Sequence, residues 1–348
     1  MRKENNTHTH PLVKNQGLSL DSPITDRFGR TFNYLRLAVN EHCNLRCIYC
    51  MPEEGIPFLD QKKILTTNEI KSILKVMTDL GVTKVRFTGG EPLLRKDIIN
   101  LIEYASKFST IDSVHITTNG LLLSQHIAKL EQAGLTGINI SLDTLNPAKF
   151  KEITRRDSFH NVLEGLNAAL QSNIKQVKVN VVAMRDFNDT EISDFAELTK
   201  LNDITVRFIE LMPFDSHQIW KTGKYYSAAK IIEDLKQKIK VLSPISGSST
   251  EHHIFQIKGY KGRVAVIPSY TRTLCGKCNR LRITSDGKLL NCLYGQEETN
   301  IRDAIRQRLS EDSIKDMIRN AMSKKMIDGW TAQRQGKENR ESMTQIGG

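Results

Sequence analysis

Residues 34–50 read YLRLAVNEHCNLRCIYC, an apolar run that leads straight into three cysteines, Cys43, Cys47 and Cys50. The run is short and rich in β-formers, and the spacing C-x3-C-x2-C sets three thiols on one loop at its end. A structural zinc site normally closes with four protein ligands, and a disulfide framework takes an even number of cysteines. Three thiolates can hold an iron–sulfur cluster while leaving one iron open to a further ligand. A zinc ion that borrows its fourth ligand from elsewhere is the other reading the spacing allows.

Working outward, NEIKSILKVMTDLG repeats apolar residues at Ile70, Ile73, Leu74, Met77 and Leu80 and stops at Gly81, the pattern of an amphipathic helix. KVRFTGG then reads as a strand. The alternation continues with a helix near 97–108, strand SVHITT, helix 124–133, strand GINISLD, helix 160–172, strand VKVNVV, helix 189–200, strand TVRFIEL and helix 227–239. Six strands separated by helices imply an α/β fold with a parallel sheet, either doubly wound or an incomplete barrel. Polar and cysteine residues fall at the C-terminal ends of five strands. After the cysteines come Gly89-Gly90-Glu91-Pro92, then Thr117-Thr118-Asn119, Ser141 and Asp143, and Met212. Loops converging at that end are how barrel enzymes build a site, so an incomplete (β/α)6 TIM-like barrel is expected over residues 25–242. Residues 1–24 read as a flexible tail. From about 243 the pattern breaks into shorter β-like runs, a smaller second unit over 243–348 ending in QGKENRESMTQIGG.

Bulk properties bound the function. The chain has 348 residues, of which 39% are hydrophobic, too many for disorder, and contains no apolar run long enough for a membrane span. Its start lacks an apolar central region, and six cysteines without a secretion signal point to a reducing, cytoplasmic setting and to metal or redox chemistry. A net charge of +11 points to an anionic partner. Arg36, Arg86, Lys178 and Arg207 each interrupt an apolar strand. If they face the barrel interior, an anion must answer them. With aromatics at 6% of the chain, a polyphosphate fits better than a nucleic acid, which asks for an exposed basic patch with stacking platforms.

A second set, Cys275, Cys278 and Cys292, is spaced C-x2-C-x13-C. Alone it reads equally as a zinc ribbon missing one ligand or as a second cluster. Between its thiols, Arg280 and Arg282 stand two apart, so on an extended segment both guanidinium groups face one side and form an anion grip.

Tyr49 beside the last thiolate of the first set, with the Gly-Gly-Glu-Pro loop at the next strand, resembles the radical S-adenosylmethionine enzymes, whose cluster motif is C-x3-C-x-aromatic-C. The glycines permit close backbone approach, and backbone or carboxylate acceptors there could hold an ammonium group. The stretches DRFGRTFNYLRLAVNEHCNLRCIYCMP, RFTGGEPLLRKD, NISLDTL, VRFIELMP and CGKCNRLRITSDGKLLNCL, with the terminal IGG, are similar to the GTP 3′,8-cyclase family of molybdenum cofactor biosynthesis from about residue 25 onward. That resemblance implies an incomplete barrel whose C-terminal extension carries a second 4Fe-4S cluster. It implies that Cys43, Cys47 and Cys50 hold the cluster that cleaves S-adenosylmethionine, with Tyr49, Gly90, Ser141 and Met212 contacting that cofactor. Cys275, Cys278 and Cys292 would hold the second cluster, facing guanine. Arg36, Arg86, Thr117, Lys178, Arg280, Leu281 and Arg282 would grip GTP, and Arg280, Arg282, Gly347 and Gly348 would serve catalysis. An electron donor and a downstream molybdopterin-precursor enzyme are the implied partners, with no nucleic acid or membrane and with room for a homodimer. Leu274, where the family often has Phe, and the loosely matching SGSSTEHHIFQ depart from the pattern and bear on packing at the second cluster. A two-cluster radical enzyme that modifies peptides is the nearest rival, and a zinc-dependent nucleic-acid-binding protein the rival outside enzymes.

Overall fold

The six apolar runs are parallel strands: β1 (Tyr34–Ala38), β2 (Lys84–Thr88), β3 (Ser113–Thr118), β4 (Gly137–Ser141), β5 (Gln176–Ala183) and β6 (Ile204–Glu210). The computed structural model describes residues 23–212, 223–246, 253–273, 275–295, 297–334 and 342–346; the readings made of residues 1–22, Leu274, Gly347 and Gly348 lie outside them. Between and after the strands run α1 (Thr67–Asp79), α2 (Ile98–Ser106), α3 (Leu123–Gln132), α4 (Pro147–Thr154), α5 (Phe159–Gln171), α6 (Ile192–Glu197) and α7 (Ala228–Lys238). Local chemistry sets their ends. Thr66 and Glu69 close a reciprocal capping box on α1, satisfying amides that the helix itself leaves bare. Gly81, at φ +83°, takes the left-handed stop beyond the helix. The eight-residue α4, which the apolar periodicity does not signal, starts where Asn146 accepts from Ala148 and Lys149 and Pro147 presets the first turn. The helix expected over 189–200 is a short 3-10 turn, Asp189–Glu191, followed by α6.

The expected smaller second unit is drawn into the same sheet. It supplies β7 (Leu242–Ile245), β8 (His253–Ile257), β9 (Arg263–Ile267), β10 (Arg280–Ile283), β11 (Lys288–Leu290) and β12 (Glu298–Asn300), then α8 (Ile301–Arg306), α9 (Glu311–Ser323) and α10 (Gly329–Arg334). The strand order is β12-β11-β10-β1-β2-β3-β4-β5-β6-β9-β8-β7. β10 pairs parallel with β1 and β9 parallel with β6, so residues past 243 lengthen the six-stranded barrel sheet at both edges. Sequence patterning could not foresee this, because the pairings join segments far apart in the chain.

Strand alternation divides the layers. Leu35, Leu37, Val85, Phe87, Val114, Ile116, Ile138, Ile140, Val179, Val206 and Phe208 are buried in the apolar layer beneath the helices. Their neighbours, Tyr34, Arg36, Arg86, Thr117, Ser141, Asn180 and Arg207, line the interior cavity. Period two thus sends apolar side chains outward and most polar ones inward, with Val182 of β5 and Ile209 of β6 adding apolar side chains to the cavity lining. No helix among the described residues is long and apolar enough to cross a membrane.

Candidate functional site

The interior encloses a cavity of about 360 Å³ lined by all six cysteines, within the size range of small-molecule sites. Topology puts the two cysteine sets at opposite ends of the strands. Cys43, Cys47 and Cys50 follow β1 at its C-terminal end. Cys278 lies two residues before the first residue of β10, which runs parallel to β1, and Cys292 follows β11, which returns antiparallel. Their segment reaches the N-terminal end of β1, where the Tyr34 amide donates to the Asn279 carbonyl at 3.2 Å.

The first loop is held by its backbone. The Arg46 and Ile48 amides donate to Thr154 and Ile153 carbonyls at 3.0 and 2.9 Å, and the Cys50 amide to the Cys47 carbonyl at 2.9 Å. Arg155, left-handed at the end of α4 with φ 55°, donates to the carbonyls of Arg46 and Met51 on either side of the last two cysteines. The Gly-Gly-Glu-Pro loop lies against this loop so tightly that a Cβ on Gly90 would stand 2.2 Å from the His42 carbonyl oxygen. Only glycine fits there. The Glu91 carboxylate, considered above as an ammonium acceptor, is fully buried and already takes Leu93 and Asn119 amides and the Thr118 hydroxyl. Burial nevertheless pushes it up to about 7. Its position is a crosspiece between the loops after β2 and β3, which leaves the loop backbone as the acceptor for a ligand.

Tyr49 turns its hydroxyl to Asp143, donating at 2.6 Å, and the Val182 amide donates to the other carboxylate oxygen at 2.7 Å. Burial raises Asp143 to about 6 against those donors. Burial also raises the thiols of Cys43 and Cys47, and together with the neighbouring Cys43 it pushes Cys50 up to about 12. Deprotonating these buried thiols calls for compensating positive charge, which a bound metal centre supplies. Gly90, Ser141 and Met212 line the same end of the cavity.

Below this end the interior is cationic. Arg282, Arg36, Arg86 and His115 are successive register partners across β10, β1, β2 and β3. Arg86 and Arg207 share the side-chain oxygen of Asn139 when its amide is turned toward them, the latter at 2.8 Å. Burial, with Arg282 next in weight, holds Arg36 well below the usual guanidinium range, and burial with Arg280 brings Arg282 to about 10. Burial and the surrounding Arg86, Lys84, Lys178 and Arg207 push His115 far down, so its imidazole is neutral and faces the Arg86 guanidinium at 3.4 Å. The lining carboxylates are Asp143 and Glu210. Glu210, like Asp143, is occupied, accepting from the amides of Ala228, Tyr270 and Thr271. A cavity whose cations outnumber its committed carboxylates in this way is built for an anion.

The second set is built differently. The cations of Lys325 and Arg280, with Arg282, outweigh burial at Cys278 and bring its thiol below the ordinary value, whereas burial raises Cys275. The loop is anchored from outside the extension. Arg30, salt-bridged to Asp26 at 2.6 Å, donates to the carbonyls of Cys275, Met326 and Ile327. Arg272 stands over the rings of Tyr294 and Trp330, 3.4 and 4.0 Å from their centroids, a stacked cation that fastens α10 to this loop.

The structure therefore gathers Arg36, Arg86, Thr117, Arg280 and Arg282 at one cavity. Lys178 shares the inward face of β5 with Asn180, as register partner of Asn139, but stands outside the lining residues. Leu281 is a correction. Lying between two inward arginines, it is on the opposite face of β10 and fully buried in the apolar layer, so a ligand could meet only its backbone. Tyr34, Asn180, Arg272, Asn291 and Lys325, not singled out in the sequence, also line the cavity. Strand parity could have flagged Tyr34 and Asn180; Arg272, Asn291 and Lys325 arrive through long-range packing that no local pattern signals. Asn180 also gives the fifth strand, from which the sequence offered Lys178, a residue in the cavity lining.

Among the described residues no three His, Cys, Asp or Glu side chains are gathered as a single-ion site. The fit of an iron–sulfur group rests on donor chemistry: six thiols, in two sets of three, soft anionic ligands when deprotonated and all facing one cavity.

Comparison with known proteins agrees with both halves of the chain. The Radical SAM superfamily matches residues 37–199, and Molybdenum Cofactor Synthesis C matches residues 204–328. The GTP 3′,8-cyclase of Chlorobaculum tepidum is 43% identical over 325 residues, covering 93% of this chain and 97% of that protein. The GTP 3′,8-cyclase of Desulforamulus reducens is 40% identical over 333 residues, covering 93% and 100%. Human molybdenum cofactor biosynthesis protein 1 is 42% identical over 303 residues, 87% of this chain but 48% of that longer protein. Among solved structures, Streptococcus suis SuiB bound to S-adenosylmethionine superposes with a TM-score of 0.56 over 84% of this chain and 68% of that one, at 16% identity, a likeness of fold alone.

Proposed function

Because the chain belongs to the GTP 3′,8-cyclase family of the radical S-adenosylmethionine superfamily, we infer that it converts GTP to (8S)-3′,8-cyclo-7,8-dihydroguanosine 5′-triphosphate, the first step of molybdenum cofactor biosynthesis. The observation that carries the reading is the cationic cavity placed between two three-thiol sets. A peptide substrate would not ask for buried cations in register across three adjacent strands, which disfavours the peptide-modifying rival. Anaerobic incubation of the iron-loaded enzyme with GTP, S-adenosylmethionine and dithionite tests it. 5′-Deoxyadenosine and the cyclic nucleotide should form together, and formation of neither from GTP would sink the assignment.

Cys43, Cys47 and Cys50 would hold the first 4Fe-4S cluster and Cys275, Cys278 and Cys292 the second. When bound, the first would supply the one-electron reduction of S-adenosylmethionine by which hydrogen is removed at the ribose 3′ carbon and the ring closes on guanine C8. The chain's own residues position and enclose. The backbone at Gly90, with Tyr49, Ser141 and Met212, would seat the cofactor, and Asp143 keeps the Tyr49 ring in place through its hydroxyl. Arg36, Arg86, Arg280 and Arg282 would hold the triphosphate and fix the nucleotide's register along the barrel axis, with Thr117 beside them and Lys178 acting from the floor. Their burial strengthens each charge–charge contact and excludes water from the reacting centre. A one-electron donor and a downstream molybdopterin-precursor enzyme complete the reading.

Two expected results follow from this geometry. Arg282→Ala should weaken GTP binding by about 1.5–3 kcal/mol, the range for a hydrogen bond to a charged group, and should weaken guanosine binding much less. Calorimetry with both ligands checks this, and equal losses would contradict the phosphate role. Met343 and Thr344 also line the cavity, which supports a role for Gly347 and Gly348. Deleting those two glycines should leave GTP affinity nearly intact while strongly lowering cyclic product per 5′-deoxyadenosine, since positioning a reacting centre is felt in the transition state and not in ground-state binding. Unchanged coupling would return the glycines to an ordinary terminus.

A further inference from the structure

Asn139 stands in the middle of β4, on the inward face it shares with Ser141, wholly buried and outside the residues that line the cavity. A carboxamide buried in an apolar strand is costly unless its polar atoms are used. Turned toward the two arginines, its oxygen accepts from Arg207 at 2.8 Å and from both terminal nitrogens of Arg86, one of them at 3.2 Å. Arg86 of β2, Asn139 of β4 and Arg207 of β6 belong to alternate strands, the set that a barrel brings into one interior layer. The neighbouring side chains that meet these arginines are also neutral. Arg207 donates to the Asn180 side-chain oxygen, and Arg86 faces the uncharged His115 imidazole at 3.4 Å. Both arginines line the cavity although they are only 6% and 4% exposed.

The charge of the shared acceptor is what matters. An oxygen reached by two buried guanidinium groups is a natural place for a carboxylate, which accepts paired N–H donors and cancels charge. Asparagine has the shape of aspartate and an oxygen that accepts in the same direction, but it carries no charge. It therefore draws two cations to one point and leaves both charges in place, at a cost in mutual repulsion that an arriving anion relieves. We propose that Asn139 is a positioning residue for the nucleotide's phosphates: its oxygen aligns Arg86 and Arg207 as one doubly cationic face without neutralising either, and so sets the preference of the cavity for a triphosphate over an uncharged nucleoside. The proposal rests on the reading that this cavity takes GTP. Asn139 acts through the arginines and not by contact with the ligand, because it stands outside the lining while they are part of it.

The test is anaerobic calorimetry on the iron-loaded full chain with GTP and with guanosine. Asn139→Asp keeps size and shape and adds one negative charge at the shared oxygen. Its GTP affinity should fall on the order of tenfold, the effect of one like charge across a partly screened interior, while guanosine affinity holds. Asn139→Ala removes the oxygen without adding charge, and it decides the matter alone if the aspartate variant does not fold. There GTP affinity should fall a few-fold, as for a lost hydrogen bond, again with guanosine unchanged. The ratio of the two affinities is the readout that a residue merely filling space would not move. Combined with Arg86→Met, the alanine change should cost less than the sum of the two single losses, since the first acts through the second. GTP bound by Asn139→Ala as tightly as by the unaltered chain overturns the proposal, because a loss in the aspartate variant alone would report only the added charge. GTP bound by Asn139→Asp at unaltered affinity, equal losses for GTP and guanosine, or full additivity with Arg86→Met overturn it as well. If the unaltered chain itself shows no preference for GTP over guanosine, the nucleotide reading fails and the proposal fails with it, a result seen before any variant is made.

Discussion

Replacing Cys47 with alanine is expected to abolish S-adenosylmethionine cleavage while the iron of the second site stays bound. The loop that carries Cys47 does not depend on the thiol for its shape. The Cys47 carbonyl accepts the Cys50 and Met51 amides at 2.9 and 3.0 Å, and the flanking Arg46 and Ile48 amides are bonded to the end of α4. Arg155 adds two further bonds to the carbonyls of Arg46 and Met51. The backbone therefore survives the substitution, and what is lost, on the proposed reading, is one of three ligands in a set with no spare thiol. A 4Fe-4S cluster left with two thiolates loses its iron, and with it the position that binds and splits the cofactor. Iron content should fall by about half, given two clusters of equal size, and 5′-deoxyadenosine should be undetectable in anaerobic turnover with dithionite. Circular dichroism should be nearly unchanged, because Cys47 is only one partly buried residue packed against a large apolar layer, and alanine keeps its Cβ there. Cleavage retained at a substantial rate would remove the cluster from Cys43, Cys47 and Cys50.

How much of this site could be seen in the sequence depends on how local its causes are. The first triad and the Gly-Gly-Glu-Pro loop are contiguous motifs at strand ends, and a period of two within an apolar strand already puts Arg36, Arg86 and Arg207 on a common face, so the cationic interior was legible. The same parity contradicts a side-chain role for Leu281, since Arg280 and Arg282 cannot both face inward unless Leu281 faces out. What remained hidden is set by pairing across long separations. Nothing in the spacing C-x2-C-x13-C says that β10 lies beside β1 in parallel, and it is that pairing which carries the second triad to the opposite end of the strands from the first. Nor does Ser342, a single Ser in a polar stretch, announce that it will meet the Cys50 carbonyl. Glu91 illustrates a third limit. Its type suited a ligand contact, but three donors, one from its own loop and two from the end of β3 and the loop after it, had already taken its carboxylate, and the demand of buried polar groups for partners decides such cases only in three dimensions.

The opposite-ends arrangement makes the result for Cys278→Ala different in kind from that for Cys47→Ala. S-adenosylmethionine cleavage should continue, because among the described residues the first loop shares no backbone bond with the second set, and it keeps all its thiols. Cyclic nucleotide should not form. Cys278 sits next to Lys325, Arg280 and Arg282, the cations that outweigh burial and bring its thiol below the ordinary value, so it is better prepared than Cys275 to bind as a thiolate. Removing it should cost the second cluster. The phosphate grip should outlast that loss, since β10 is held in register by β1, with Tyr34 opposite Arg280 and Arg36 opposite Arg282. GTP would then still enter by its triphosphate but with its guanine end no longer fixed against a cluster, and a radical generated at the other end of the barrel would find the ribose carbon out of place. The expected record is thus half the iron, 5′-deoxyadenosine produced without matching cyclic product, and GTP affinity lowered by less than in Arg282→Ala. Cyclic product at near the unaltered rate would make the second set structural. Loss of cofactor cleavage together with product would show that the two ends of the cavity do not act independently, because a change confined to the N-terminal end of β10 would then have disabled chemistry that belongs to the loop after β1.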